Sequence, residues 1–194
     1  MNKIIGIIPT FINRRNSNYI VVDYDLINFI KKCFPNYVIK ILHDIKTEFK
    51  IDLIVSSGGN TLPSLDKTEN NIFRKKLDDH YLNKALVKNI RFLGICHGAQ
   101  HVANYFESKI IKKANHTKKN HLINFFLGKS VSVNSFHDYS VIKLGKNLER
   151  IAWTNDGSIE SFKHTKKKIF CIMWHPERYK KFRKFDLKFI KKYL

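Results

Sequence analysis

Phe92-Leu93-Gly94-Ile95-Cys96-His97-Gly98-Ala99-Gln100 places a cysteine at the end of an apolar run, with a glycine two residues before it and another two residues after. The run from Ile90 to Ile95 reads as a buried strand, and the residues from Ala99 onward read as helix. The glycines permit a reversal too tight for side chains, so the segment predicts a strand–turn–helix elbow with Cys96 standing above the first helical turn. Unpaired amide groups and the positive end of the helix dipole favour thiolate there, and thiolate is the attacking form. Cysteine more often serves as a small core hydrophobe. Cys33, in an amphipathic helical pattern, and Cys171, inside the apolar run 169–174, fit that description because neither has a glycine turn beside it.

A thiolate attacking an acyl carbon needs a partner that moves protons. Met173-Trp174-His175-Pro176-Glu177 supplies one at the end of a second apolar run. Residues two apart in extended chain point to the same side, so Glu177 can reach the far ring nitrogen of His175 and fix its tautomer, while Pro176 stiffens the turn. The catalytic set expected from the sequence is Cys96, His175 and Glu177.

Outward from the elbow, the first half alternates strand and helix: strands over 3–9, 38–42, 53–56 and 91–95, helices over 25–33, 70–88 and 99–106. The second half is richer in strands, over 123–127, 130–133, 140–144, 151–154, 159–162 and 169–174, and a helix closes the chain. Alternation predicts an α/β domain whose mostly parallel central sheet is flanked by helices, with an antiparallel elaboration in the C-terminal half. All 194 residues are expected to form one domain, since 43% are hydrophobic and no repeat or linker interrupts them. Open α/β sheets bind ligands at the carboxyl ends of their strands, where Gly58-Gly59 and Cys96 fall.

The formal net charge is +20, from 36 Lys and Arg against 16 Asp and Glu. Such an excess raises nucleic-acid binding as a rival function. The lysines, however, run along the whole chain without zinc-ligand spacing or an RNA-recognition signature, and in the closing segment Phe182, Phe185, Phe189 and Ile190 mark an inward helical face that leaves the lysines solvated. No nucleic acid or membrane partner is expected. The charge would instead attract an anionic small molecule. Met1-Asn2-Lys3 followed by Ile4 to Pro9 reads as a first buried strand rather than a signal peptide, and three cysteines fit a reducing compartment, so a cytoplasmic location is expected. No motif specifies an oligomeric state.

Further segments accompany the elbow and the His-Pro-Glu turn in a fixed order: Ser56-Ser57-Gly58-Gly59-Asn60-Thr61-Leu62-Pro63, Val133-Asn134-Ser135-Phe136-His137, and Asn155-Asp156-Gly157-Ser158-Ile159-Glu160. Together, over about residues 58–177, they resemble the class I glutamine amidotransferase superfamily, with its flavodoxin-like sheet, and more narrowly its γ-glutamyl hydrolase branch. The resemblance implies cleavage of a γ-glutamyl amide through a γ-glutamyl thioester, releasing glutamate. It implies an oxyanion hole from the backbone of Gly59 and His97, close substrate approach at Gly58, and glutamyl-binding contacts from Gln100 and the backbone of Ser135 and Phe136. Length and motif layout are similar to members that act on a nucleotide phosphoramidate in capsule synthesis. Two departures stand out. His97 occupies a position where many relatives carry arginine, which bears on substrate preference, and Met173-Trp174 replaces Gln-Trp or Gln-Phe, which bears on local packing.

The remaining histidines, including His101, His116 and His121, read as surface or structural groups, and the resemblance assigns no definite contact to His137 or Asp138. Scattered in sequence, they predict no metal site, and thioester chemistry needs neither metal nor organic cofactor. The small-molecule γ-glutamyl substrate leaves its departing group unspecified, with Asn13-Arg14-Arg15 and residues 116–120 as the loops expected to meet it. Two other classes remain: a glutaminase subunit supplying ammonia to a separate synthase, and a basic binding module that retains the fold.

Overall fold

The computed structural model describes residues 2–46, 49–113, 116–126 and 128–194, the side chain of residue 118 excepted. From the N-terminus run β1 (Lys3–Ile8), a hairpin of β2 (Thr10–Arg14) and β3 (Ser17–Val21), α1 (Tyr24–Cys33), β4 (Tyr37–Ile41), β5 (Leu53–Ser56), α2 (Glu69–Lys88), β6 (Arg91–Ile95) and α3 (His97–Tyr105). The second half adds β7 (Lys109–Lys112), β8 (Thr117–Phe125), β9 (Ser130–Phe136), β10 (Tyr139–Lys143), β11 (Leu148–Trp153), β12 (Ile159–His164), β13 (Ile169–Ile172) and α4 (Lys184–Tyr193).

The central sheet runs β4-β1-β5-β6-β13-β12-β11-β8-β9. Its first five strands pair in parallel and the rest continue antiparallel. Strand order reverses between β1 and β5, which opens a crevice at their carboxyl ends. Period-two alternation divides the apolar residues between the two faces. Leu53, Val55, Leu93 and Ile95 meet Leu26, Phe29 and Ile30 of α1 and Ile190 of α4, while Ile54 and Phe92 meet Leu77, Tyr81 and Leu82 of α2 and Val102 of α3. The parallel sheet with an antiparallel C-terminal half is thus as the sequence predicts.

Several boundaries differ from expectation. The segment 10–21 forms a hairpin where a loop around Asn13-Arg14-Arg15 is expected; Arg15 and Asn16 both take positive φ, 51° and 60°, the backbone of a tight two-residue hairpin turn. Strand 123–127 proves to be the end of the longer β8, its residue 127 lying outside the described residues, and residues 117–120, read as loop, are that strand's beginning. Helix α3 starts at His97 rather than 99, because Cys96 itself is the cap residue. The short β7 pairs with β10 and carries no turn signal of its own. Among the described residues no helix is long and apolar enough to cross a membrane.

Candidate active site

Cys96 sits at φ 50°, ψ −102°, a strained conformation for a residue with a side chain, between β6 and the first turn of α3. Its neighbours show why glycine is required on both sides. A Cβ on Gly94 would stand 2.9 Å from the amide nitrogen of Ala99, and one on Gly98 would stand 2.3 Å from the carbonyl oxygen of Ser56. The helix therefore lies directly against β5 and β6, and Cys96 is forced out at the bend. This is the elbow anticipated from the glycine spacing.

His175 lies just beyond β13, the parallel strand next to β6, so the sheet order brings it beside Cys96. Its Nδ1 donates to Glu177 Oε1 at 2.6 Å, which leaves Nε2 for the thiol. The two side chains lie close enough for each to shift the ionisation of the other. A Cβ added to Gly58 would come within 2.6 Å of His175 Cε1 and 3.6 Å of Cys96 Cβ, so this glycine packs against both side chains; Gly58 and His175 line a cleft, and Cys96 is buried beside them. Burial opposes ionisation of the Cys96 thiol, but His175, His137 and Arg178 outweigh it and hold its pKa below the ordinary value. Burial likewise opposes the His175 charge, yet Cys96 and Glu177 push its pKa up to about 9. Both shifts favour a thiolate–imidazolium pair. Cys33 behaves oppositely, burial pushing it up to about 12, and burial also drives the Cys171 thiol upward; both are core residues, as expected.

Asn134 brackets the backbone of His175, donating from Nδ2 to its carbonyl at 2.7 Å and accepting its amide at Oδ1 at 2.8 Å. Such a clamp has no signature in the sequence, because it joins backbone and side chain 41 residues apart. Phe136 covers the imidazole edge-on at 5.7 Å, and the Arg178 guanidinium lies over Phe136 at 4.7 Å. Trp174 packs in the core and donates to the buried Asp186 at 3.0 Å, so the Met173-Trp174 departure affects packing.

Gly59 has φ +127°, and a Cβ there would strike Thr10 Oγ1 at 2.2 Å, so only glycine fits. Thr10 donates to the Gly58 carbonyl at 2.8 Å, and the Asn60 side chain bonds both backbone groups of Phe11. These contacts tie the unforeseen β2–β3 hairpin to the glycine loop. Thr10, Ile12 and Val21 then form one wall of a cleft of about 430 Å³ whose other lining includes Gly58, Gly59, His175 and Arg178.

The remaining expected contacts are placed as follows. Gln100 is buried and donates to the Tyr139 carbonyl at 2.9 Å, and the Ser135 hydroxyl donates to the His116 carbonyl. The His97 side chain points away from the cleft to Asp78, 3.1 Å from its Nε2, and burial lowers its pKa to about 4. Its departure from arginine therefore touches the support beneath the elbow rather than the substrate. His116 and His121, expected as unconnected polar groups, converge with His137 on the fully buried Glu160. The expectation of scattered histidines is corrected here, because the turn after β9 and the pairing of β10 with β12 bring distant segments together. Burial opposes the Glu160 charge, but His121 and His137 hold its pKa at about 2.

Gly58→Ala tests this packing directly. The new methyl must displace the His175 ring, and a shift near 1 Å at reacting atoms costs about 10²-fold in kcat/KM. Melting should stay close to wild type, since the methyl enters the cleft rather than the core; a variant with unchanged turnover would show that His175 is not positioned by this contact.

The open α/β sheet thus carries a cysteine elbow at the end of β6 and a His–Glu pair just beyond the neighbouring parallel strand β13. The class I glutamine amidotransferase family model matches residues 18–191, and the chain belongs to that family. It is 37% identical over 132 residues to γ-glutamyl-CDP-amidate hydrolase of Campylobacter jejuni, a match covering 66% of this chain and 63% of that protein. It is 29% identical over 139 residues to the A subunit of the glutamine-hydrolysing GMP synthase of Archaeoglobus fulgidus, covering 66% and 68% respectively. Among solved structures, a glutamine amidotransferase from Thermotoga maritima superposes with a TM-score of 0.70 at 18% identity, covering 91% of this chain and 77% of that one. The match spans less than two thirds of the Campylobacter relative's length.

Proposed function

We propose that the chain is a cysteine-dependent hydrolase that cleaves a γ-glutamyl amide and releases glutamate. The observation that carries this reading is the strained Cys96 elbow, packed with Gly58 beside a His175 whose far nitrogen is held by Glu177. Cys96 attacks the γ-carbonyl, and the tetrahedral oxyanion collapses to a γ-glutamyl thioester as His175 donates a proton to the departing nitrogen. The same imidazole then deprotonates the water that hydrolyses the thioester, with Glu177 orienting the ring. The amides of Gly59 and His97 serve the oxyanion, and Gln100 with the backbone of Ser135 and Phe136 serves the glutamyl headgroup.

The leaving group in this reading is anionic and nucleotide-linked. Arg178 lines the cleft, and Arg14 and Arg15 at the hairpin tip line the adjoining depression. A γ-glutamyl-CDP-amidate is the substrate that the Campylobacter relative's name suggests. A second reading, a glutaminase subunit feeding a synthase, is favoured by the several GMP synthase A subunits among the relatives. Turnover by the isolated chain decides between them. Rapid glutamate release from a γ-glutamyl nucleotide amidate with glutamine nearly inert supports the first; glutaminase activity that appears only with a synthase partner overturns it.

A further inference from the structure

The group of His116, His137 and Glu160 has a chemistry that thioester formation does not use. All three side chains are buried, and their nearest ligand atoms lie within 4.8 Å of one another. The hydrogen bonds on the far side of each ring assign the tautomers. His116 Nε2 donates to Asp156 Oδ2 at 2.9 Å, and His137 Nδ1 donates to the Tyr139 carbonyl at 3.1 Å. In the neutral rings His116 Nδ1 and His137 Nε2 are therefore bare lone pairs. Both face the same carboxylate oxygen, Glu160 Oε1, at 3.7 and 3.5 Å. None of these three atoms has a hydrogen-bond partner of good geometry.

With both rings neutral these are three buried acceptors facing each other, which repel unless a positive charge stands between them. In the metal-free protein that charge is a proton on His137, whose burial opposes it but whose pKa Glu160 and Cys96 raise, and a bound cation would displace it. The donor set is two imidazoles and one carboxylate, which suits a borderline divalent ion of the zinc kind, bound at about 2.0–2.2 Å from each ligand. Ligands around such an ion are themselves roughly 3–3.5 Å apart, against 3.5 and 3.7 Å from the carboxylate oxygen to the two rings and an outer bound of 4.8 Å for the group, so the side chains would draw inward on binding. The far-side hydrogen bonds to a carboxylate and a backbone carbonyl are the arrangement that orients metal-binding histidines. His121 Nε2 approaches the other carboxylate oxygen, Glu160 Oε2, at 3.4 Å and so braces that group from behind.

We infer that His116 Nδ1, His137 Nε2 and Glu160 form a three-ligand site for a zinc-class divalent cation, with a fourth position open to water or a substrate oxygen. The site draws together the segments before β8, after β9 and within β12, beside the proposed glutamyl pocket. It goes beyond hydrolysis by Cys96 and is read without turnover.

The test uses the full chain, dialysed with zinc chloride and then freed of loosely held ion. Wild type should retain one zinc per chain by elemental analysis, and cobalt(II) in its place should give the intense visible bands of a tetrahedral site without a thiolate charge-transfer band. Glu160→Gln should lose that stoichiometry. Because a buried substitution can disturb folding, Asp156→Asn provides a second variant at a half-exposed group and should weaken zinc binding about 10–100-fold. Cys96→Ala should keep the metal while losing turnover, which separates this site from the proposed reaction. Trace zinc in wild type without cobalt bands would overturn the inference, since the buried charge would then be balanced by imidazolium alone. So would metal that leaves with Cys96→Ala and remains in Glu160→Gln.

Discussion

Cys96→Ala is expected to lower release of glutamate from a γ-glutamyl amide by about 10⁴-fold or more, with folding unchanged. Removing the nucleophile of a covalent mechanism abolishes everything except what binding and the oxyanion hole contribute. The substitution relieves rather than adds crowding, and the positive φ at position 96 is no worse for alanine. The pH dependence supplies a second readout. With the thiol pKa held below its ordinary value and the His175 pKa pushed up to about 9, the thiolate–imidazolium pair exists between those two values. Below the window the sulfur takes a proton, and above about pH 9 the imidazolium loses the one it must donate, so kcat/KM should fall on both sides. Glu177→Gln removes a group that raises the His175 pKa, so the alkaline limb should move to lower pH. Turnover by Cys96→Ala within about tenfold of wild type would dismiss the proposed nucleophile.

The parallel half of the fold and the elbow were legible in the sequence because both rest on local rules. Gly94 and Gly98 announce close backbone approach, and the alternation of apolar runs with helical patterns announces a covered parallel sheet. The β2–β3 hairpin was not legible, since its turn residues are Arg15 and Asn16 rather than a pair ending in glycine, and arginine at positive φ has no sequence signature. His116, His137 and Glu160 come from three separate segments, and only the completed sheet brings them within reach of each other. The support beneath the elbow was hidden for a different reason. Arg74 and Asp78 are charged residues inside a helix, types seldom fully buried, yet both are completely buried.

That buried pair leads to the largest expected loss of stability. Arg74 Nε donates to Asp78 Oδ2 at 2.8 Å, and its other nitrogens reach the carbonyls of Pro9 and Ser57 at 2.9 and 2.8 Å. Asp78 also accepts from Ser56 Oγ at 2.7 Å and from His97. The network thus joins the end of β1, the end of β5 and the first turn of α3, which are the elements that hold the glycine loop and the elbow. Asp78→Ala leaves the Arg74 guanidinium buried without a counter-charge, a loss of about 3–5 kcal/mol. Glu149→Ala, which removes an exposed partner of Lys163, should cost less than about 1 kcal/mol in the same urea titration. Burial opposes the Asp78 charge, but Arg74, His97 and His101 outweigh it and hold the carboxyl well below the usual carboxylate range. A depressed folded-state pKa contributes stability that is present above the unfolded value of about 3.9 and is lost as pH falls toward the folded one. Wild type should therefore lose stability in acid from about pH 4 downward, and Asp78→Asn should remove that share of the slope. If Asp78→Ala unfolds at the same urea concentration as wild type, the buried pair does not hold these three elements together.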